Sequence, residues 1–298
     1  LAGAAAHGAA MSVRVFAPAK VNLTLQVGAP RADGLHPLQS VAAFADVGEF
    51  VEAAPGDVIS LRIDGPMAAG LKAREDNLVL RAARALAEAA GVKQGAALTL
   101  CKHMPVASGI GGGSSDAAAT LRALNQLWRL DWPAAQLMEV ARPLGADAPV
   151  CVAARAAYMT GAGETHITLA APRFDAVLVN PGKPLATGDV YRRFDAMGLG
   201  AGFREAPAPN WATRDAALSA MAAIGNDLEA PARALVPEIG AVAERLRDPR
   251  VRYAALSGSG ATMFAITDTA AAAVSLAQEI AAARPDWWVR AVVIGAGA

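Results

Sequence analysis

Cysteine, lysine and net charge are what this chain has least of, and each scarcity removes a class of explanation. Two cysteines, Cys101 and Cys151, lie far apart with no second cysteine or histidine at ligand spacing. That excludes a disulfide framework and a zinc site, and it suits a reducing compartment. Twenty-seven basic residues balance twenty-seven acidic ones. The chain therefore has no basic excess for wrapping nucleic acid or holding an anionic membrane, and small molecules are its expected partners. No window of about 18 apolar residues is free of charge, the alanine-rich stretch from Thr269 to Ala283 being broken by Gln278 and Glu279. The opening LAGAAAHGAA lacks the basic start and continuous apolar run of a signal peptide, and the first plausible initiator is Met11. Residues 1–10 are read as a tag remnant or loose extension, and a cytoplasmic location is expected.

What is present is a globular composition. With 54% hydrophobic and 18% charged residues, 298 residues can bury the core of two ordinary domains. Only 5 of the 27 basic residues are lysines, so each lysine is worth inspecting. Val13 to Phe16 and Val21 to Val27 read as strands around the break Ala-Pro-Ala-Lys, and Val41 to Glu52 and Val58 to Ile63 read similarly. Asp76 or Asn77 caps a helix over Leu78 to Ala90 that stops at Gly91, and Ala96 to Lys102 is a short strand. Ala117, Leu121, Leu124 and Trp128 share a helical face. Ala148 to Ala154 and Thr165 to Leu169 look like strands.

A domain boundary is expected near residue 171, dividing an N-terminal domain of residues 11–171 from a C-terminal domain of residues 172–298. The second half runs from a strand at Ala176 to Asn180 through helices between Gly188 and Arg247. Strands follow at Tyr253 to Ser257 and Thr262 to Ile266, then a helix over Thr269 to Ala283 and a strand over Trp288 to Ile294. Strands and helices mix without regular alternation, which favours α+β over a doubly wound sheet.

The segment Pro105-Val106-Ala107-Ser108-Gly109-Ile110-Gly111-Gly112-Gly113-Ser114-Ser115 joins a strand to a helix. Its glycines let backbone N–H groups approach oxygen atoms closely, and the start of the following helix favours negative charge, so the loop is phosphate-binding machinery. A flexible linker is the alternative, but a linker seldom runs straight into a long amphipathic helix. No Gly-Lys-Ser/Thr follows, and Ser114 stands where a dinucleotide fingerprint needs its last glycine, so neither common motif explains the loop.

The loop resembles the central motif of the GHMP kinase superfamily, whose members phosphorylate small-molecule hydroxyls with ATP. Ala17-Pro-Ala-Lys-Val-Asn-Leu23 resembles its first motif and Leu256-Ser-Gly-Ser-Gly-Ala-Thr262 its last. Within the superfamily, Asp33-Gly-Leu-His36 and Leu144-Gly-Ala-Asp-Ala-Pro149 add a likeness to the 4-diphosphocytidyl-2-C-methyl-D-erythritol kinases of the non-mevalonate isoprenoid pathway. The resemblance implies two α+β domains with the active site in the cleft between them, ATP with Mg²⁺ on the glycine loop, and phosphoryl transfer to the 2-hydroxyl of a substrate carrying a cytidine diphosphate moiety. Another superfamily kinase, of homoserine or mevalonate type, is the competing activity. A catalytically silent nucleotide or metabolite sensor is the competing class, which loss of Lys20 or Asp147 would have favoured; both are present. Monomer and homodimer are both left open, as are the protein ligands of the metal.

The same resemblance makes Lys20 and Asp147 the catalytic pair, a carboxylate to orient the hydroxyl and accept its proton and an ammonium to hold that carboxylate ionised. Taken alone they would be a surface lysine and a turn aspartate. Asn22, two residues beyond Lys20, shares its face of a strand and becomes a substrate ligand. Asp33 to His36 by itself reads as a turn; the resemblance makes it the loop that binds cytosine, with Leu35 standing where an aromatic residue is common and His36 supplying polar contacts. Thr187 and Tyr191 are the remaining substrate candidates, Tyr191 being either an aromatic wall or a plain core position. Asn77 and Lys102 fall on elements flanking the adenine. Asp116 bears on magnesium through Ser114 or water, or simply completes the first helical turn, where a carboxylate is favoured. Ser257 to Ala261 is a second glycine loop or a tight hairpin. His7, His103 and His166 have no identifiable partner, and Trp128 and Trp132 read as core.

Overall fold

The computed structural model describes residues 12–295, so the expectations for residues 1–10 and His7 lie outside the described residues. The first strand, β1 (Val13–Val27), is one element of 15 residues, not two strands around a break. Pro18 is tolerated inside it because the ladder to β2 (Leu38–Gly56) shifts register between Pro18 and Lys20, and a proline at such an irregularity removes no ladder bond. A second shift falls between Asn22 and Thr24, where β1 carries one extra residue.

Beyond β2 come β3 (Ile59–Asp64), α1 (Leu78–Ala90), β4 (Gly95–Cys101), α2 (Gly112–Leu127) and α3 (Ala134–Ala141). Helix α1 forms as its sequence dictates. The Asn77 side chain accepts the Val79 N–H at 2.9 Å, Gly91 ends the helix in the left-handed region, and Val79, Leu80, Ala82, Ala83 and Leu86 make a single buried face. The next element corrects the expected strand at Ala148 to Ala154, which is a helix, α4 (Ala148–Ala153), with Pro149 in its first turn. A six-residue apolar run has no periodicity by which a buried strand can be told from a buried helix. The proline, pre-set for a helical φ, settles it.

The chain continues through β5 (Ala157–Thr160), β6 (Thr165–Thr168), β7 (Phe174–Asn180), α5 (Thr187–Ala196), α6 (Arg214–Ile224), α7 (Glu229–Leu235), α8 (Glu238–Arg245), β8 (Val251–Leu256), β9 (Met263–Thr267), α9 (Ala270–Ala283) and β10 (Trp288–Ile294). The strands run in the order β3-β4-β2-β10-β7-β9-β8, with β1 and β5 also on β2 and β6 on β5. Among the described strands β3 and β4 pair in parallel and the other ladders are antiparallel. The fold is α+β.

Three apolar clusters hold it together. One lies between α1, α2, α3 and α4 and the N-terminal strands, with Phe44, Leu86, Leu98, Leu121 and Leu124 inside. A second joins α5, α7, α8 and α9 to β7 and β9. The third is drawn from both halves, Val21, Leu23, Met104 and Ile110 packing with Phe174, Trp211 and Phe264. No helix among the described residues is long and apolar enough to cross a membrane.

Strand β1 decides where the functional segments meet. Its inner edge pairs with β2, and its outer edge, instead of standing open, is covered by loops from both halves. Lys20 N–H donates to the Ile110 carbonyl (3.0 Å), Asn22 N–H to Ser257 Oγ (3.1 Å) and Leu25 N–H to the Gly225 carbonyl (2.9 Å). A sheet edge needs such cover, and here the cover is the two glycine loops together with the turn at Gly225.

Candidate functional site

A cleft of about 480 Å³ opens where these loops cross β1, lined by residues from both halves of the chain. At its centre Lys20 Nζ lies 2.7 Å from Asp147 Oδ2. Lys20 comes from β1 and is only 3% exposed, while Asp147 immediately precedes α4 with 37% of its side chain open to the cleft. Lys20 Nζ also donates to Asn22 Oδ1 at 3.1 Å. A buried ammonium holding a half-open carboxylate keeps that carboxylate aimed, and with two of its N–H groups engaged by Asp147 and Asn22 it has a third to offer.

The glycine loop forms one wall. Helix α2 begins inside it, with Gly111 as N-cap, so the first N–H groups of the helix face the cleft beside Lys20. Two glycines are required by close approach. A Cβ on Gly109 would stand 2.4 Å from the Ser257 carbonyl oxygen, and one on Gly111 would stand 2.9 Å from Lys20 Cβ, both at positive φ. Ser257 clips the loop from the other side, its Oγ donating to the Gly109 carbonyl at 2.9 Å while accepting the Asn22 N–H.

Beyond the loop the cleft has two wings. One has apolar walls of Ile63, Leu71, Leu78 and Leu100 with Asn77 and Lys102 as polar residues. The other carries Leu25, Leu38, Met159, Gly163 and Leu228 together with Thr187 and Tyr191. Thr187 Oγ1 lies 3.0 Å from Ser259 Oγ, tying α5 to the second glycine loop. Burial, reinforced by the charge of Asp147, pushes the Tyr191 hydroxyl up to about 12, so it stays protonated and available as a donor. The same two causes push the Cys151 thiol, one turn along α4 from Asp147, up to about 12.

The structure thus gathers Lys20, Asn22, Asn77, Lys102, Asp147, Thr187 and Tyr191 around one cleft, with Pro105 to Gly109 and Gly111 to Ser114 on its wall. Three of the expected residues sit differently. Ile110 is fully buried in the shared core and reaches the site only through its carbonyl. The Ser115 hydroxyl turns away to the Pro18 carbonyl. His36 is not among the residues lining the cleft. Its Nδ1 lies 2.8 Å from the Gly28 carbonyl, its Nε2 faces Asp195 at 3.5 Å, and its ring packs behind Tyr191 with centroids 4.8 Å apart. Leu35 is 52% exposed on a turn closed by Asp33, whose Oδ1 accepts the Leu35 N–H. The Leu35 N–H and the Arg31 guanidinium hold the Asp33 carboxyl below its ordinary value.

Sequence reasoning missed Glu49. Lys102 does not stand free over its wing, because its Nζ is held by Glu49 on β2 and by Asp116, the latter at 3.0 Å; Asp116 is the fifth residue of α2 and so lies past the first helical turn in which the sequence placed it. Burial alone would lower Lys102, but the two carboxylates outweigh it and raise the ammonium above its ordinary value. One ammonium cannot serve two buried carboxylates fully. Burial and the neighbouring Glu49 push Asp116 well above the carboxylate range, and its Oδ1 has no hydrogen-bond partner. A fully buried glutamate needs a partner, but Glu49 is one of three acids between Phe44 and Ala54, with Asp46 and Glu52, and only the fold shows that it is the buried one.

Comparison with known proteins agrees with this geometry. Residues 77–155 match the model of the GHMP kinases N terminal domain and residues 204–286 that of the GHMP kinases C terminal. A 4-diphosphocytidyl-2-C-methyl-D-erythritol kinase of Hyphomonas neptunium is 48% identical over 292 residues, 96% of this chain and 97% of that protein. Among solved structures, a 4-(cytidine 5'-diphospho)-2C-methyl-D-erythritol kinase superposes with a TM-score of 0.75 at 34% identity, over 95% of this chain and all of the other. A homoserine kinase from Cytophaga hutchinsonii, at 20% identity and a TM-score of 0.71 over 99% of each chain, shares the fold. With a glycine loop opening a helix, a lysine–aspartate pair beside it and near-complete coverage by such relatives, the chain belongs to the GHMP kinases, in the family of the 4-diphosphocytidyl-2-C-methyl-D-erythritol kinases.

Proposed function

We propose that this cleft carries out the ATP-dependent phosphorylation of the 2-hydroxyl of 4-diphosphocytidyl-2-C-methyl-D-erythritol, with the triphosphate on the glycine loop, the adenine between Ile63, Leu78 and Leu100, and the acceptor in the wing of Thr187 and Tyr191. The observation that carries the proposal is the 2.7 Å pair of Lys20 and Asp147 at the end of the glycine loop, where both wings converge.

Phosphoryl transfer asks little covalent work of a protein, so alignment and charge stabilisation do most of the work. In the proposed division of roles Asp147 receives a hydrogen bond from the attacking hydroxyl and takes its proton as the new O–P bond forms and the bond to the leaving diphosphate breaks. Lys20 aims that carboxylate and donates to the oxygens of the group in transit. Asn22 fixes Lys20, and Tyr191 supplies an aromatic wall for the cytosine, with His36 bracing it from behind. The residues present fit a magnesium ion arriving with the nucleotide and not a resident one. No group of three or more acidic, histidine or cysteine donors capable of holding a metal occurs among the described residues, and magnesium is commonly held by one or two protein oxygens plus phosphates. Ser114 and Asp116 are the residues that would approach it, and when bound it would neutralise phosphate charge.

The division into lobes at about residue 171 and a cytoplasmic site of action belong to the same proposal. Its test is ATP consumption over a panel of 4-diphosphocytidyl-2-C-methyl-D-erythritol, homoserine, mevalonate and galactose. Turnover confined to the cytidylyl compound supports it, and preference for any other alcohol overturns it.

A further inference from the structure

Beside the extra residue in β1 between Asn22 and Thr24, side chains bond two backbone groups of the β1–β2 pair. Val41 N–H donates to Thr24 Oγ1 at 3.0 Å, and the Thr24 carbonyl accepts Ser40 Oγ at 2.6 Å. The second bond has a consequence for the site. A carbonyl can only accept, so the single hydroxyl proton of Ser40 is committed to Thr24, and Ser40 can only accept from anything else. Its other neighbour is Asn22 Nδ2, at 2.7 Å. Asn22 must therefore turn its NH₂ to Ser40 and its Oδ1 to Lys20, whose Nζ donates to it at 3.1 Å. Turned the other way, the amide would set NH₂ against ammonium and leave the fully buried Ser40 oxygen facing a carbonyl oxygen.

We infer that Ser40 is a positioning residue for phosphoryl transfer, which acts through Asn22 by selecting the amide orientation that holds Lys20 against Asp147. The inference rests on the proposed role of the Lys20–Asp147 pair. Its reach is visible in one line of contacts, from the Thr24 carbonyl through Ser40, Asn22 and Lys20 to Asp147 Oδ2. Ser40 touches no reacting atom in this scheme.

Ser40→Ala removes the hydroxyl without adding bulk, and Ser40→Thr and Ser40→Val have nearly the same shape but differ in having or lacking it. The expected result is kcat about tenfold lower in Ser40→Ala than in the parent, and about tenfold lower in Ser40→Val than in Ser40→Thr, with KM for ATP moving little. In an Asn22→Ala background, where there is no amide to orient, adding Ser40→Ala should cost nothing further in kcat. Equal kcat in the Thr and Val variants, or a Ser40→Ala penalty that persists in the Asn22→Ala background, overturns the inference. A residue that merely repaired the β1 irregularity would lower the melting temperature and leave the coupling to Asn22 absent. If Asp147→Asn lowers turnover by orders of magnitude while Ser40→Ala does not alter it, this inference fails and the proposed function stands; if Asp147→Asn retains turnover, the proposed role of the Lys20–Asp147 pair fails and this inference fails with it.

Discussion

Asp147→Asn is the sharpest perturbation the structure offers, because it keeps the shape of the side chain and removes the charge that Lys20 faces at 2.7 Å. Two effects follow, and their sizes separate them. As a proposed general base, the carboxylate contributes roughly 10²–10⁴ to turnover, and an amide cannot take the hydroxyl proton. The stability effect is smaller. Breaking a buried pair costs about 3–5 kcal/mol, but 37% of the Asp147 side chain is open to the cleft, so water replaces part of what Lys20 loses. Asn22 Oδ1 still accepts from Nζ. A loss of about 1–2 kcal/mol is then expected, which for a chain of this size lowers Tm by only about 2–8 °C. The assay is steady-state kinetics at saturating acceptor, with ATP varied, beside a thermal melt. The expected pattern is a kcat collapse with KM for ATP near the parent value in a folded protein. Turnover within tenfold of the parent would refute the assignment, and so would a proportionate rise in KM for ATP, which would place Asp147 on the nucleotide.

Three further outcomes are expected. Gly112→Ala adds a methyl whose nearest neighbour, Lys102 Nζ, is 3.8 Å away, whereas Gly111→Ala drives one to 2.9 Å from Lys20 Cβ at positive φ. Gly111→Ala should therefore lower Tm and kcat together, while Gly112→Ala should keep its Tm and weaken only ATP binding, as isothermal titration would read. Tyr191→Ala should raise KM for the cytidylyl acceptor by roughly tenfold, the loss of an aromatic wall being about 0.5–1.5 kcal/mol beyond its buried area, with KM for ATP unmoved. Cys151 titrates near 9 when unfolded and is pushed to about 12 in the fold, so above pH 9 the unfolded chain sheds a proton that the folded chain keeps. Stability should fall by up to about 1.4 kcal/mol per pH unit from this group, and melts between pH 8 and 11 should be less steeply pH-dependent in Cys151→Ala.

Local signals were legible in the sequence wherever one residue type has one physical consequence. Asn77 and Gly91 bound α1 because a capping amide and a left-handed glycine have few other uses, and the glycine loop gave away the start of α2 in the same way. What was not legible depended on phase and partnership. Along β1, Ala19, Val21 and Leu23 face the shared core while Lys20 and Asn22 face the cleft. Strict alternation would then bury Leu25 with Leu23. The extra residue before Thr24 reverses the phase and brings Leu25 onto the acceptor wing instead. Nothing in the composition of that segment announces a bulge. His36 was expected in the cleft and is found behind Tyr191 because its partners, Gly28, Asp195 and Phe194, belong to segments that meet only in three dimensions.

The charge balance of the cleft explains how so few lysines can serve a triphosphate. Among the described residues lining it, the charged side chains are Lys20, Lys72, Lys102, Asp116 and Asp147, with Glu49 immediately behind Lys102. Two of the three ammonium groups are already engaged by carboxylates, Lys20 by Asp147 and Lys102 by Glu49 and Asp116. Even with Asp116 pushed toward its neutral form, the free cleft holds at most about one surplus positive charge. A bound nucleotide must therefore be met mainly by uncharged donors, the N–H groups of the glycine loop and the start of α2, whose dipole is equivalent to roughly half a positive charge, and by the cation proposed to arrive with it. The two buried lysines then act less as phosphate ligands than as fixed struts. Lys102 ties β2 to Asp116 near the start of α2, and Lys20 ties β1 to the start of α4, so that the two ion pairs fix the glycine loop and the carboxylate to the same sheet.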